Sequence, residues 1–83
     1  MNVCRLPITS LAHTTDTIYC STDHYDNVSQ DKTKPLYVSI EDKVFLLQIY
    51  PTIEDNKICI SAFNRKKYGI NLGSKICLKY IQT

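Results

Sequence analysis

The chain has 83 residues, of which 43% are hydrophobic and 22% are charged, and its formal net charge is +2. This is the length of one small domain, and the balance excludes a natively disordered chain. The longest apolar run, residues 44–47, is far shorter than the ~18 residues of a membrane-spanning helix. The N-terminus lacks the lysine-rich start and apolar core of a signal peptide. We therefore expect a small globular domain that does not insert into a membrane.

The first half of the chain predicts four strands and one long loop. Val3 to Leu6 and Thr17 to Cys20 have the pattern of short strands. Asp23 to Lys34 is polar and lacks periodicity, which predicts an exposed loop. Leu36 to Ile40 and Val44 to Tyr50 alternate with a period of two across a short turn. Together they predict a β-hairpin.

The second half predicts two further strands and little helix. Pro51 ends the hairpin, and strands are expected at Lys57 to Phe63 and at Lys75 to Ile81. Between them, only Asn64 to Gly69 has room for one short helical turn, which the glycine would end. About six short strands in so small a chain predict a mainly β fold, a small closed β-barrel, because closure removes exposed sheet edges.

The four cysteines show no metal-binding spacing. Cys4, Cys20, Cys59 and Cys77 form no C-x-x-C pair, and no histidine is placed to complete a zinc site. Because three of them are flanked by aliphatic residues, we expect buried, reduced thiols and a reducing compartment such as the cytosol. Two disulfides remain an alternative for a secreted chain.

No arrangement of residues predicts catalysis. Asp23, His24 and Asp26 gather a histidine and two carboxylates, but in the predicted loop, where side chains are not held in place. His13 stands alone among threonines, and the run from Gly69 to Lys75 lacks the spacing of a phosphate-binding loop. We expect no catalytic residue, no metal and no cofactor in this chain.

Charge is distributed unevenly along the sequence. Residues 1–55 contain eight acidic and four basic residues, a net of −4, whereas residues 56–83 contain six basic and no acidic residues, a net of +6. Arg65, Lys66 and Lys67 are consecutive, and we expect a tight turn between two strands to present them together. Such a cluster suits an acidic protein, a nucleic acid or an anionic lipid, and a solvated positive face without a partner is the alternative.

The order of these features resembles the N-terminal domain of the N-ethylmaleimide-sensitive factor (NSF) family of vesicle-fusion ATPases. The hairpin leads to a Pro51 loop, a strand, a basic turn followed by Gly-x-x-x-Gly at Gly69 and Gly73, and a last strand. Arg5-Leu6-Pro7 resembles the Arg-x-Pro opening of the family. The similarity covers about the last 47 residues well and the first seven loosely.

The resemblance implies a double-psi β-barrel, and it implies that residues 1–83 form the first of two N-terminal subdomains. A second subdomain and two ATPase domains are then expected in the parent protein, a hexamer that uses ATP and Mg. Members of this family dock on SNAP adaptors bound to SNARE complexes and disassemble the SNAREs during vesicular transport. Residue by residue, the partner-binding role falls on Arg5, Arg65 and Lys66, with Lys67 beside them. The implied location is the cytoplasm, with recruitment through partners to vesicle and Golgi membranes.

Three alternatives remain open at this point. The N-terminal domains of valosin-containing-protein-like and peroxin ATPases are also double-psi barrels that bind cofactor proteins. A free-standing nucleic-acid-binding barrel would also account for the basic C-terminal third. An independent enzyme is compatible with this fold, although the chain offers no ordered acid–base pair or nucleophile.

Overall fold

The computed structural model describes residues 1–5 and 16–82, and in these ranges the chain is mainly β, as predicted. The described part contains six strands and two short helices: β1 (Asn2–Cys4), β2 (Thr17–Cys20), α1 (Thr22–Val28), β3 (Leu36–Ile40), β4 (Lys43–Ile49), β5 (Lys57–Cys59), α2 (Ala62–Tyr68) and β6 (Lys79–Ile81). Leu6 and Pro7, which complete the predicted first strand and the Arg-x-Pro opening, lie outside the described residues, as does His13. No helix in the described ranges is both long and apolar enough to cross a membrane.

All six strands belong to one sheet in the order β1-β5-β2-β4-β3-β6. The β1–β5 and β2–β4 pairs are parallel, and the other pairs are antiparallel. The ladder is open, ending at β1 and β6, so the sheet does not support the predicted closure into a barrel. Beyond the ladder, the described residues contain one isolated bridge, between Asn2 and Lys75.

The segment before β6 nevertheless runs beside the opposite edge of the sheet. Ser74 O accepts a hydrogen bond from Val3 N at 2.9 Å, and Gly73 N donates to Val3 O at 2.8 Å. Met1 and Ile76 also exchange backbone hydrogen bonds, at 2.9 and 3.1 Å. Three residues later the chain pairs with β3 on the other edge. Residues 77 and 78 thus connect the segment that is hydrogen-bonded to Met1 and Val3 with the strand that pairs with β3.

The β3–β4 hairpin confirms the predicted alternation and its turn. Ile40 pairs with Lys43, so Glu41 and Asp42 form a two-residue connection. Both residues have positive φ, 48° and 71°, as the tight turns that match the twist of a hairpin require. Alternate residues of β3 point into the core.

The core lies on one face of this sheet and consists mostly of aliphatic residues from five strands, with Ile60 directly after β5. Leu47, Ile18 and Ile58 have no exposed surface, and each such side chain contributes roughly 1.5–3 kcal/mol through burial. The full cluster is Val3, Ile18, Cys20, Leu36, Val38, Ile40, Phe45, Leu47, Ile58 and Ile60.

Helix α1 corrects the prediction of a loop from Asp23 to Lys34. Ser21 caps it by accepting a hydrogen bond from His24 N at 3.0 Å. None of its residues is fully buried, but Tyr25 and Val28, three positions apart, pack against the core. An almost wholly polar helix gives little periodic signal, and only the cap and this pair could have indicated it.

Helix α2 corrects three further predictions. The expected strand from Lys57 to Phe63 ends at Cys59, and the helix has two turns instead of one. Arg65, Lys66 and Lys67 therefore lie on a helix and not in a tight turn between strands. The last strand is also shorter than predicted, with only Lys79–Ile81 paired in the ladder.

The cysteines differ from the predicted set of buried thiols. Cys4 and Cys59 form a disulfide, because the parallel register of β1 and β5 places them opposite each other with a Cα–Cα distance of 4.8 Å. Cys20 is a buried free thiol, as expected, whereas Cys77 is exposed. The prediction of reduced cysteines is thus wrong for Cys4 and Cys59.

Candidate protein-interaction surface

Two local signals fix the position of α2. Ser61 Oγ accepts a hydrogen bond from Asn64 N at 3.2 Å and caps the first turn. Gly69 adopts the left-handed conformation, with φ of 66°, and its N–H bonds to Arg65 O. Glycine takes this conformation without the steric cost that other residues meet. The helix is therefore held at both ends by its own sequence.

The three consecutive cations occupy the last turn of this helix. Arg65 is half-buried, and its Nε donates a hydrogen bond to Ile60 O at 3.1 Å. Lys66 and Lys67 are exposed. Positive charge at the C-terminal end of a helix is favoured by the helix dipole. One cation is thus fixed to the end of β5, while two extend into solvent.

Aromatic rings lie among these cations. Lys67 Nζ is 5.7 Å from the ring centroid of Phe63 and 5.4 Å from that of Tyr68. Lys43, at the start of β4, places its Nζ 4.8 Å from the Tyr68 centroid. Tyr68 in turn packs edge-on against Phe45, with the centroids 5.9 Å apart. The rings thus connect the outer face of α2 to the β3–β4 hairpin and to the core.

No carboxylate neutralises this cluster in the part of the chain that the structure describes. The ion pairs found there are Lys32–Asp26 at 3.1 Å and Lys57–Glu54 at 3.2 Å, both on other elements. The positive charge of α2 is therefore directed at solvent, where an external anion can meet it.

Arg5 is exposed and lies directly after β1. Because β1 and β5 are parallel and paired, their C-terminal ends lie side by side, joined by the disulfide. Ile60, which accepts the hydrogen bond from Arg65, follows β5 as Arg5 follows β1. Of the four predicted site residues, Arg5 thus follows the C-terminal end of β1. The other three lie on the helix that follows the C-terminal end of β5.

Sequence reasoning missed the other members of this surface. The sequence predicts Phe63 as the end of a strand, and it gives no indication that Tyr68 and Lys43 face each other. Ser61 followed by Gly69 was the available signal for a capped helix. No sequence signal could place Lys43 beside α2, because that contact depends on the tertiary fold.

The two remaining clusters of polar residues give weaker evidence of a functional site. His24 and Asp26 lie on α1, where His24 Nε2 is 2.7 Å from Tyr80 Oη and Asp26 pairs with Lys32. The His24 contact ties α1 to β6, and the cluster is not the freely solvated loop that was expected. A cleft of about 380 Å³ lies between the hairpin turn and the segment leading to β6, and it mixes both signs of charge. Among the described residues, no group of three or more histidine, cysteine or acidic side chains could hold a metal ion.

No protein-family model matches this sequence, and no curated protein is significantly similar to it.

Proposed function

We propose that this chain is the adaptor-binding domain of an NSF-like vesicle-fusion ATPase and that it docks on SNAP–SNARE complexes through α2 and Arg5. One observation carries this proposal. Arg65, Lys66 and Lys67 sit on a helix that is capped at both ends, and no carboxylate of the described residues pairs with them. A positioned, unneutralised cation cluster is what docking on an acidic protein surface requires.

The order of elements supports the family resemblance. A hairpin, a Pro51 loop, a strand, a basic segment with glycines at positions 69 and 73, and a final strand follow one another as the resemblance requires. The double-psi barrel belongs to the same proposal. Its support is the backbone hydrogen bonding of residues 73–76 with Met1 and Val3, which brings one chain segment to both edges of the sheet.

In this proposal the chain has a mechanical role and performs no chemistry. It transmits the nucleotide-driven motion of a hexameric ATPase ring, which requires ATP and Mg, to the bound SNARE bundle. A second N-terminal subdomain contributes further contacts in the parent protein. The family resemblance implies that the complex works in the cytoplasm, with recruitment through its partners to vesicle and Golgi membranes, whereas the Cys4–Cys59 disulfide removes the argument from reduced thiols for that compartment. Exposed cations of this type accelerate association more than they strengthen the final complex.

Charge reversal on α2 tests the proposal. Arg65→Glu/Lys66→Glu should weaken binding of the 83-residue chain to a recombinant SNAP by about tenfold at low salt, because attraction becomes repulsion. Isothermal titration calorimetry measures the affinity, and circular dichroism checks that the variant is folded. The matched control is Lys34→Glu/Lys79→Glu, which changes the net charge equally at two exposed lysines away from α2. The control should stay within about twofold of the wild-type affinity.

Two results would contradict the proposal. Equal losses in both double variants would show that binding depends on net charge and not on α2. Wild-type chain that binds a thymidine oligonucleotide more tightly than SNAP, with affinity falling log-linearly with salt, would favour the nucleic-acid-binding alternative.

A further inference from the structure

The outer face of α2 contains an apolar group in the middle of its charges. Phe63 is 47% exposed, and Lys66 and Lys67 follow it at three and four positions, the spacing of one helical face. Asn64, the next residue along the helix and about 100° around its axis, is fully buried. The helix thus turns its polar amide inward and a large aromatic ring outward, an arrangement that leaves the Phe63 ring in contact with water.

Lys43, Phe63, Lys67 and Tyr68 form a continuous group, here called the aromatic–cation surface. Each member is within 6 Å of the next: Phe63 to Lys67, Lys67 to Tyr68, and Tyr68 to Lys43. Two ammonium groups therefore approach one phenol ring, one from α2 and one from the hairpin. Such contacts also hold flexible lysine side chains near fixed positions, so less entropy is lost when a partner binds.

The acidic residues that precede Lys43 in the sequence do not cancel this charge. Glu41 and Asp42 in the hairpin turn line the 380 Å³ cleft, together with Lys75 and Lys79. No ion pair joins them to Lys43 or Lys67 in the described part of the chain. The two ammonium groups of the aromatic–cation surface thus remain available to external carboxylates.

The position of the lysines also indicates which kind of anion fits. A single-stranded nucleic acid stacks its bases on open aromatic faces. Here Lys43 and Lys67 lie over the Tyr68 ring, so ammonium groups occupy space that a base stacked on Tyr68 would need, whereas the Phe63 ring is open. An acidic protein segment uses one apolar contact at Phe63 and two cations, and it needs no series of open rings.

We propose that the aromatic–cation surface binds an acidic protein segment that carries an apolar side chain between its carboxylates. The apolar side chain packs against Phe63, while the carboxylates lie against Lys43 and Lys67. This inference rests on the proposed function and deepens it, because it assigns the apolar anchor and adds a contact from the hairpin. Interfaces of this kind depend on a few central aromatic residues, and the surrounding charges set orientation and association rate.

Two substitutions distinguish the apolar contact from the charge contact of this surface: Phe63→Ser and Lys43→Gln. Phe63→Ser should weaken SNAP binding by about tenfold at every salt concentration, because the lost contact is apolar. Lys43→Gln should weaken it by about threefold, and only at low salt. Ile81→Ser and Lys34→Gln are matched controls, since Ile81 is 40% exposed and Lys34 is an exposed lysine on another element. Both controls should bind as the wild type does, and thermal unfolding checks that all four variants fold.

The SNAP experiment distinguishes this inference from the proposed function. If Arg65→Glu/Lys66→Glu weakens binding while Phe63→Ser does not, the cationic helix remains the docking element and the apolar anchor is wrong. If SNAP does not bind the wild-type chain, the proposed function fails, and a defined peptide still tests the anchor.

The peptide probe is a fluorescein-labelled Asp-Glu-Asp-Leu-Glu-Asp-Glu, compared with the same peptide carrying serine in place of leucine. In fluorescence anisotropy, the wild-type chain should bind the leucine peptide several times more tightly, and Phe63→Ser should remove that difference. Equal binding of the two peptides by the wild-type chain would overturn the inference. Tighter binding of a thymidine oligonucleotide than of the leucine peptide would also overturn it.

Discussion

Cys20 and Cys77 are both free thiols, but they differ in their surroundings. Cys20 lies in the core, where burial raises the pKa of its thiol from 9.0 to about 12. A thiol reacts through its thiolate, so a pKa this high leaves almost no reactive form near neutral pH. Cys77 is exposed and accessible to reagent. The disulfide between Cys4 and Cys59 removes the other two sulfurs from reaction.

These differences predict the number of alkylated cysteines. Iodoacetamide at pH 8 should label one thiol in the native protein, two after unfolding in guanidinium, and four after unfolding with reduction. Intact-mass spectrometry counts the labels directly. Four labels on the unfolded but unreduced chain would show that the disulfide is absent, and two labels on the native chain would show that Cys20 is accessible.

At the scale of single residues, the sequence indicates the charged members of the candidate site more clearly than the apolar ones. Arg65, Lys66 and Lys67 stand out as a consecutive run whatever structure they adopt. The role of Phe63 depends on whether it ends a strand or starts a helix, and an alternating apolar stretch favours the strand. The disulfide between Cys4 and Cys59 is beyond local reasoning, because the two residues are 55 positions apart and meet only through the parallel β1–β5 pairing.

At the scale of elements, α1 and β6 are connected through a polar contact. His24 Nε2 lies 2.7 Å from Tyr80 Oη, and the Gln82 side chain hydrogen-bonds to Ser29, Asp31 and other groups of the loop after α1. Burial lowers the pKa of His24 below its ordinary value of 6.5, and the N-terminal ammonium adds to this, while Asp55 acts in the opposite direction.

This shift predicts how stability depends on pH. The unfolded chain takes up the His24 proton near pH 6.5, before the folded chain does, so the free energy of unfolding should fall as the pH drops below about 6.5. His24→Gln retains a polar group toward Tyr80 but does not titrate, and it should lose less stability between pH 7 and pH 5. Urea unfolding at several pH values measures the difference. The lowered pKa of Asp31 acts only below its ordinary value of 3.8, outside this window. Identical pH profiles for the two proteins would contradict the role of His24.

The two helices show why some elements are harder to predict than others. The hairpin follows from alternation, since each inward residue of β3 and the centre of β4 is apolar. Helix α1 has no fully buried residue, so its sequence carries almost no periodic signal. Helix α2 follows β5 after two buried residues, Ile60 and Ser61, and those residues extend the apparent strand. Short helices of this kind are stabilised by caps and packing more than by their own propensity.

At the scale of the whole molecule, the fold places the starting points of Arg5 and of α2 at one end of the sheet. Parallel pairing of β1 with β5 brings Arg5 to the strand end from which α2 departs. The mainly β class was predictable from composition and period, but the strand order was not, because it depends on pairings between distant segments. Local sequence patterns likewise do not indicate that residues 73–81 contact both edges of the sheet.

An amide chemical-shift titration tests the central claim, docking through α2, most directly. The ¹⁵N-labelled 83-residue chain is titrated with unlabelled SNAP at low salt, and shifts or line broadening are followed residue by residue. We predict that the changes cluster at α2, Arg5 and Lys43 and are much smaller in Arg65→Glu/Lys66→Glu at the same SNAP concentration. Changes confined to α1, β6 or the hairpin-turn cleft, or no change at any residue, would contradict docking through the cationic helix.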